Sequence, residues 1–247
     1  EPEDLNTEDH VAYLIGFTDG TIRPEADITR AEVATIFFRL LTDEARETYW
    51  SQTNAYSDVA PDAWYNNAVS TLTNMGILDG YLDGTFRPNA PITRSEFTKI
   101  AVSFFDYTAG EYSYEGWFSD VQGGEWFVEY LTAAMRFGLI EGMPDGTFRP
   151  LDNITRAEAC TIVNRTLGRE PHEDYLLSER RMNTWPDNST TAWYYADMQE
   201  ATNSHDYYWD EDDEVEEWTE KLEERDWAAL ERSWSNAYDA PGGEVMD

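Results

Sequence analysis

A five-residue motif, Ile-Thr-Arg-Ala-Glu, occurs three times in this chain and constrains its fold more than any other feature. It spans residues 28–32, 92–96, where Ser95 replaces alanine, and 154–158. Each copy follows an Asp-Gly-Thr-x-Arg-Pro segment and opens an apolar run with helical spacing. Motifs that recur in the same order predict a repeat protein.

Each motif is predicted to start a helix. In the first copy Thr29 is the expected N-cap, Glu32 completes a capping box, and Ile28 can pack against Val33 as a hydrophobic staple. The preceding Asp-Gly predicts a tight turn, and Arg-Pro predicts an extended approach to the helix. We therefore expect one amphipathic helix after each motif.

A second piece alternates with the motif and defines the repeat boundaries. An aromatic-Ser-Asp-Val sequence with a tryptophan eight residues later occurs at 56–64 and 118–126, and each copy leads into a helix expected to end at Gly76 or Gly138. A related copy, at 185–193, is followed by no full repeat. We predict repeat 1 at 1–54, repeat 2 at 55–116 and repeat 3 at 117–184, with the half repeat 185–205 completing repeat 1 and closing a ring.

Residues 206–247 form an acidic extension that contains tryptophan. Val215, Trp218 and Leu222 share one helical face, and Trp227, Leu230 and Trp234 share another behind a possible Asp226 cap, which predicts two short helices. Residues 210–214 lack the spacing of a calcium loop and are predicted to form a solvated loop. We expect a frayed end from Ala240.

The charge of the chain limits its partners. There are 50 acidic and 17 basic residues, a net charge of −33, so nucleic acid and anionic membrane surfaces are excluded as general partners. No apolar run is long enough to span a bilayer, and residues 1–10 lack signal-peptide features, so we expect a cytosolic protein or a mature or trimmed form. The single cysteine, Cys160, is predicted to be a buried core residue.

Together these motifs resemble the S-layer homology domain family, with three copies over roughly residues 11–205. The resemblance implies a mainly α fold, in which three helical repeats close into a pseudo-threefold, three-pronged assembly, here with a short helical C-terminal extension. It also implies a secreted module on the bacterial cell surface or cell wall, mainly of Gram-positive species. Such modules hold proteins to the wall by binding secondary cell-wall polysaccharides that often carry an acidic pyruvate ketal.

The motif arginines are the first candidate site residues. Arg30, Arg94 and Arg156 occupy the first helical position, where the helix dipole disfavours a cation by a few tenths to about 1 kcal/mol. One explanation is a structural ion pair. The other is an anion site formed with the helix N-terminal amides. The resemblance associates this arginine with the acidic sugar and so favours binding.

Four further sets are candidates for ligand binding, each with a structural alternative. The pre-proline arginines could bind ligand or brace their loops, the loop aspartates could accept sugar hydroxyls or form turns, and the tryptophans could stack on sugars or pack in the core. The glycines would let a ligand approach the backbone. The sets are Arg23, Arg87 and Arg149; Asp19, Asp83 and Asp145; Trp64, Trp126 and Trp193; and Gly16, Gly80 and Gly142.

An enzyme is not expected. His10, His172 and His205 are scattered in the sequence, no Gly-x-Ser-x-Gly elbow is present, and carboxylate pairs mean little among 50 acidic residues. We therefore expect no catalytic residue, metal site or cofactor, and interpret the chain as a carbohydrate-binding anchor. The alternatives are a cell-surface scaffold that holds another protein through its extension, and a structural S-layer component stabilised by calcium.

Overall fold

The computed structural model describes residues 1–108, 110–210 and 215–239, and within them the protein is mainly helical, as predicted. The helices are α1 (Arg30–Leu40), α2 (Asp43–Tyr49), α3 (Asn66–Asn74), α4 (Arg94–Val102), α5 (Val128–Arg136), α6 (Arg156–Thr166), α7 (Tyr195–Thr202) and α8 (Trp227–Asp239), with a 3-10 turn at Glu173–Tyr175. Strands β1 (His205–Asp210) and β2 (Val215–Lys221) form an antiparallel pair. No helix in the described ranges is long and apolar enough to cross a bilayer.

The three motif helices begin where the sequence predicts. In α1 the Thr29 side chain accepts a hydrogen bond from the Glu32 amide, and the Glu32 side chain accepts one from the Thr29 amide. The same complete capping box opens α4 and α6. Local side-chain hydrogen bonds therefore fix the start of each motif helix.

A closed cycle of backbone hydrogen bonds joins the three motifs at their isoleucines. The Ile28 amide donates to the Ile154 carbonyl (3.2 Å), the Ile154 amide to Ile92 (3.0 Å), and the Ile92 amide to Ile28 (3.2 Å). All three isoleucines are buried. The N-terminal ends of α1, α4 and α6 consequently meet at one point, and each motif contacts the other two.

A second helix packs against each motif helix. Helix α3 lies on α1, α5 on α4, and α7 on α6. Helices α3 and α5 end before Gly76 and Gly138, which have φ angles of 79° and 73°, as the C-terminal glycine signal predicts. Helix α7 ends at Thr202. His205 takes the place that Gly76 and Gly138 have in the other two copies, and it opens β1. Cys160 is fully buried, which confirms its predicted place in the core.

Residues 185–205 lie against the N-terminal segment. The Asp187 carboxylate accepts hydrogen bonds from the Ile22 and Arg23 amides, and the Tyr13 and Leu14 amides donate to the carbonyl of Ala201. Long-range hydrogen bonds thus connect residues 185–205 with the segment before α1.

The extension differs from its prediction in one element. Val215 and Trp218 belong to strand β2, so the first of the two predicted helices is wrong. Burial along β2 alternates with a period of two because Glu216 and Trp218 both face inward, and the inward-facing acidic residue hides this pattern in the sequence. Helix α8 confirms the second predicted helix. The Asp226 side chain caps it by accepting a hydrogen bond from the Ala229 amide (2.9 Å). Asp210 ends β1, whereas 211–214 and the end predicted to fray from Ala240 lie outside the described residues.

Candidate ligand-binding grooves

Three grooves each combine a motif arginine, the motif glutamate of another repeat and a tryptophan. Groove A contains Arg30, Glu96 and Trp126; groove B contains Arg94, Glu158 and Trp193; groove C contains Arg156, Glu32 and Trp64. Their volumes are about 140, 440 and 130 Å³, respectively. The structure therefore brings the predicted arginines and tryptophans together, one of each in every groove.

The motif arginines are buried and paired with carboxylates. Nη1 lies 3.6 Å from Glu96 in groove A, 2.7 Å from Glu158 in groove B and 2.7 Å from Glu32 in groove C. In each case Nε also donates to a backbone carbonyl, at 2.8 to 2.9 Å. Burial lowers the pKa of Arg94, and the neighbouring Glu158 partly offsets this effect. The structural ion pair that the sequence left open is present at all three arginines.

The groove tryptophans are exposed. Trp64, Trp126 and Trp193 have 59%, 54% and 67% of their surface accessible. The alternative that they belong to the core is therefore wrong. An exposed indole ring beside a cation is suited to stacking on the apolar face of a ring-shaped ligand.

A second cation lines each groove, and sequence analysis missed it. Lys99, Arg165 and Arg39 contribute to grooves A, B and C, each from the same helix as a motif. Lys99 contacts Asp79 at 2.7 Å and Arg165 contacts Glu141 at 3.2 Å, in pairs that are partly or largely exposed. Exposed pairs contribute only about 0–1 kcal/mol, so an incoming anion can replace these partners. A basic residue in a later turn of each motif helix was the available sequence signal.

The loop aspartates form turns outside the groove linings. Asp83 Oδ1 accepts from the Thr85 hydroxyl (2.6 Å) and amide, and Oδ2 pairs with Arg87 (2.9 Å); the other two loops repeat this arrangement. These hydrogen bonds lower the pKa of Asp19, Asp83 and Asp145 to about 2, with the threonine hydroxyl as the largest cause and arginine next. The observed contacts of the three loop aspartates are therefore those of turn-forming residues, which was the structural alternative to ligand binding.

The pre-proline arginines are not extended, contrary to the prediction. Their φ angles are 48°, 58° and 59° at Arg23, Arg87 and Arg149, in the left-handed region. The reason is an aspartate from the second repeating piece. Its carboxylate accepts hydrogen bonds from the backbone amide of the arginine and from the amide of the residue before it. Asp187, Asp58 and Asp120 have this role. Each arginine side chain braces its loop through an aspartate carboxylate rather than through carbonyls.

Packing gives the predicted glycines a structural reason. A Cβ at Gly80 would lie 2.2 Å from the Tyr56 ring, and at Gly142 it would lie 2.7 Å from Phe118. At Gly16 it would lie 2.3 Å from Trp185. Gly80 and Gly142 line grooves A and B, whereas Gly16 is absent from the described lining of groove C.

The extension makes groove C different from the other two. Trp227 and Glu231 of α8, together with Arg39 and Trp64, line an adjoining cavity of about 340 Å³. The Arg39 guanidinium lies 5.7 Å from the Trp227 ring, and burial lowers the pKa of Arg39 to about 10. Burial also raises the pKa of Glu231. Among the described residues, α8 contributes nothing to the linings of grooves A and B.

Comparison with known proteins places the repeats among those of bacterial surface proteins. The chain is 35% identical over 225 residues to cell surface glycoprotein 1 of Acetivibrio thermocellus, covering 87% of this chain and 9% of that protein. It is 32% identical over 226 residues to the cellulosome-anchoring protein of the same organism, covering 90% and 48%. An amylopullulanase of Thermoanaerobacterium thermosulfurigenes is 36% identical over 154 residues, covering 60% and 8%. The chain therefore spans less than half the length of each of these relatives.

The family follows from the repeats themselves. The model of the S-layer homology domain matches residues 14–34, 55–98 and 118–160. These segments contain all three Ile-Thr-Arg-Ala-Glu motifs and the two complete copies of the second piece. The chain carries S-layer homology domains, as the sequence motifs predicted.

Proposed function

We propose that this chain is a non-catalytic module that anchors a protein to the bacterial cell wall by binding an acidic, pyruvylated-type secondary cell-wall polysaccharide. The observation that carries the proposal is the recurrence of one exposed tryptophan and two cations in each groove. The indole ring would stack on a sugar face, and the second cation would bind a carboxylate by charge-assisted hydrogen bonds in a groove that the motif arginine shapes. The names of the anchoring and surface relatives support a location at the cell surface.

The proposed architecture is a pseudo-threefold, three-pronged ring in which residues 185–205 complete repeat 1. Two cycles support it. The backbone cycle of Ile28, Ile92 and Ile154 links the motif starts. The ion-pair cycle runs from each motif arginine to the glutamate of another motif. Each groove would then be an interface between neighbouring repeats.

The two cations of a groove have different parts in this proposal. The motif arginine is buried, is held by a carbonyl and a carboxylate, and shapes the groove. Lys99 and Arg165 have about 30% of their side chains exposed and can reach a ligand. Groove B is the main binding site because it has the largest volume and lies apart from the extension. The net charge of −33 opposes approach of an anionic polymer, so affinity depends on this local geometry.

Co-sedimentation with purified cell walls tests the assignment of groove B. The Arg165→Ala, Trp193→Ala double variant is expected to bind at least tenfold more weakly than wild type. Arg136→Ala is the matched control, because Arg136 is an exposed cation outside the described groove linings and should bind as wild type. Equal loss in the control, or full binding by the double variant, would refute a role for groove B.

One observation favours a protein-interaction surface on the extension as a second candidate. Tyr208 and Trp209 on β1 are 60% and 40% exposed, whereas Trp218 and Trp227 are buried within the molecule. Exposed aromatic side chains of this kind fit an apolar protein surface. A Tyr208→Ser, Trp209→Ser variant would then release a surface-protein partner while retaining wall binding. If the variant also lost wall binding, the extension would not be a protein-binding site separate from the grooves.

A further inference from the structure

Four ligating side chains from separate parts of the chain meet in the interior beside the extension. His10 comes from the N-terminal segment, Glu200 from α7, His205 from β1 and Glu216 from β2. Each is at most 4% exposed, and their ligating atoms lie within 4.8 Å of one another. The histidines that look scattered in the sequence are thus neighbours, with His10 Nδ1 and His205 Nε2 3.3 Å apart.

Several of the distances between these atoms are those expected between neighbouring ligands of a tetrahedral ion, although the four groups spread over as much as 4.8 Å. His10 Nδ1 lies 3.2 Å from both Glu200 Oε1 and Glu216 Oε2, and His205 Nε2 lies 3.3 Å from Glu200 Oε2. Zinc bonds of about 2.0 to 2.1 Å in a tetrahedron separate neighbouring ligand atoms by about 3.3 Å. We propose that His10, Glu200, His205 and Glu216 bind one divalent transition-metal ion of the Zn²⁺ type.

Surrounding contacts orient the two imidazoles for this role. His205 Nδ1 lies 2.9 Å from the Asn203 carbonyl, which can only accept, so Nδ1 carries the proton and the lone pair of Nε2 faces the cluster. The His205 ring stacks on Trp218 at 3.8 Å, and the His10 ring stacks on Tyr207 at 4.0 Å. Such outer contacts fix the tautomer and ring plane of metal ligands.

The carboxylates are also held from outside, and each leaves an oxygen turned inward. Glu216 Oε1 accepts from the Glu170 amide, and Glu200 Oε1 lies 3.2 Å from Arg169 Nη1. Among the described residues, Glu200 Oε2 and Glu216 Oε2 are buried with no hydrogen-bond donor outside the cluster itself. A buried acceptor that receives no hydrogen bond destabilises the folded state. These oxygens and His205 Nε2 all present lone pairs to one point, which a cation would satisfy.

A cavity adjoins the cluster, and a metal ion bound there would link separate parts of the chain. A cavity of about 210 Å³ reaches His10 and His205 and is lined by the acidic residues Asp9, Asp206 and Glu223, among others. A metal ion would join the N-terminal segment, α7 and both strands of the extension. It would therefore fasten together the two ends of the split repeat, and metal binding would add to folding stability.

The test uses the full chain without a histidine tag, stripped with a chelator and dialysed. Titration with Zn²⁺ should give one saturable site per chain and a higher Tm that EDTA reverses. Co²⁺ should bind with the strong visible absorption of a tetrahedral site. Glu216→Gln and His205→Gln should weaken Zn²⁺ binding at least tenfold, whereas His172→Gln, which changes the exposed third histidine, should leave it unchanged.

Several results would overturn the proposal: no saturable site, a Co²⁺ spectrum without tetrahedral bands, or loss of binding in His172→Gln alone. If the cluster variants do not fold, NMR of the wild-type imidazoles decides. Zn²⁺ should shift the His10 and His205 signals and leave those of His172 in place. A shift of the His172 signals without a shift of the His10 and His205 signals would assign Zn²⁺ binding to surface groups. No response of the His10 and His205 signals would show that hydrogen bonds join the four side chains and that they bind no metal.

Discussion

The guanidinium of Arg156 and the carboxylate of Glu32 lie 2.7 Å apart although 124 positions separate them in the chain. This pair joins the third motif to the first, as Arg30 with Glu96 and Arg94 with Glu158 join the others. Glu32 also completes the capping box of α1. One side chain therefore starts a helix and neutralises the buried arginine of another repeat.

Glu32→Gln should lower the free energy of unfolding by about 2 to 3 kcal/mol, because it leaves the buried Arg156 without its carboxylate partner. Glutamine can still complete the capping box, so the loss reports the ion pair. Urea unfolding measures it, with Glu47→Gln on exposed α2 surface as the control, expected within about 0.5 kcal/mol of wild type. A variant as stable as its control would show that the ion pair contributes little.

Trp193→Ala should weaken wall binding at least tenfold, because the exposed indole ring is the proposed stacking surface of groove B. Trp64→Ala should reduce binding less, since groove C adjoins α8. The two tryptophans are similarly exposed, so both variants should fold with little change in stability. Equal effects of the two substitutions would argue against groove B as the main site.

Asp83→Asn should destabilise the protein in a way that depends on pH. Hydrogen bonds from Thr85 and Arg87 lower the pKa of Asp83 from 3.8 to about 2. The ionised Asp83 carboxylate therefore stabilises the fold fully at pH values above its ordinary pKa of 3.8. This contribution is lost as the pH falls from there to the folded-state pKa of about 2. The difference in Tm between wild type and variant should narrow between pH 4 and about 2. A difference that stays constant across this window would contradict the assignment.

Cys160 should resist thiol reagents in the folded protein. It is fully buried, and burial raises its pKa to about 12, so both access and thiolate formation are suppressed. Labelling at pH 8 should be slower than for a free cysteine by on the order of a thousandfold or more, and urea should accelerate it. Rapid labelling of the native chain would show local opening of α6.

The sequence predicted those features that local chemistry determines. The capping boxes at Thr29, Thr93 and Thr155 and the helix-ending glycines depend on neighbours within a few residues. Strand β2 was predicted as a helix because its apolar residues also fit helical spacing, and only tertiary packing turns Glu216 inward. A short segment with both patterns is decided by its partners.

The sites were less predictable because their contacts are long-range. The motif arginines were identified, but their carboxylate partners come from other repeats. The exposure of Trp193 depends on where α7 packs, and the meeting of His10 with His205 depends on how the two ends of the chain come together. Spacing within the sequence carries no direct sign of either arrangement.

Co-sedimentation of the wild-type chain with purified cell walls, before and after removal of their secondary polymer, tests the central claim most directly. The chain should bind intact walls and lose at least nine-tenths of that binding on stripped walls, because the proposed ligand of the grooves is the acidic polysaccharide and not the peptidoglycan beneath it. Unchanged binding to stripped walls would contradict the proposed function.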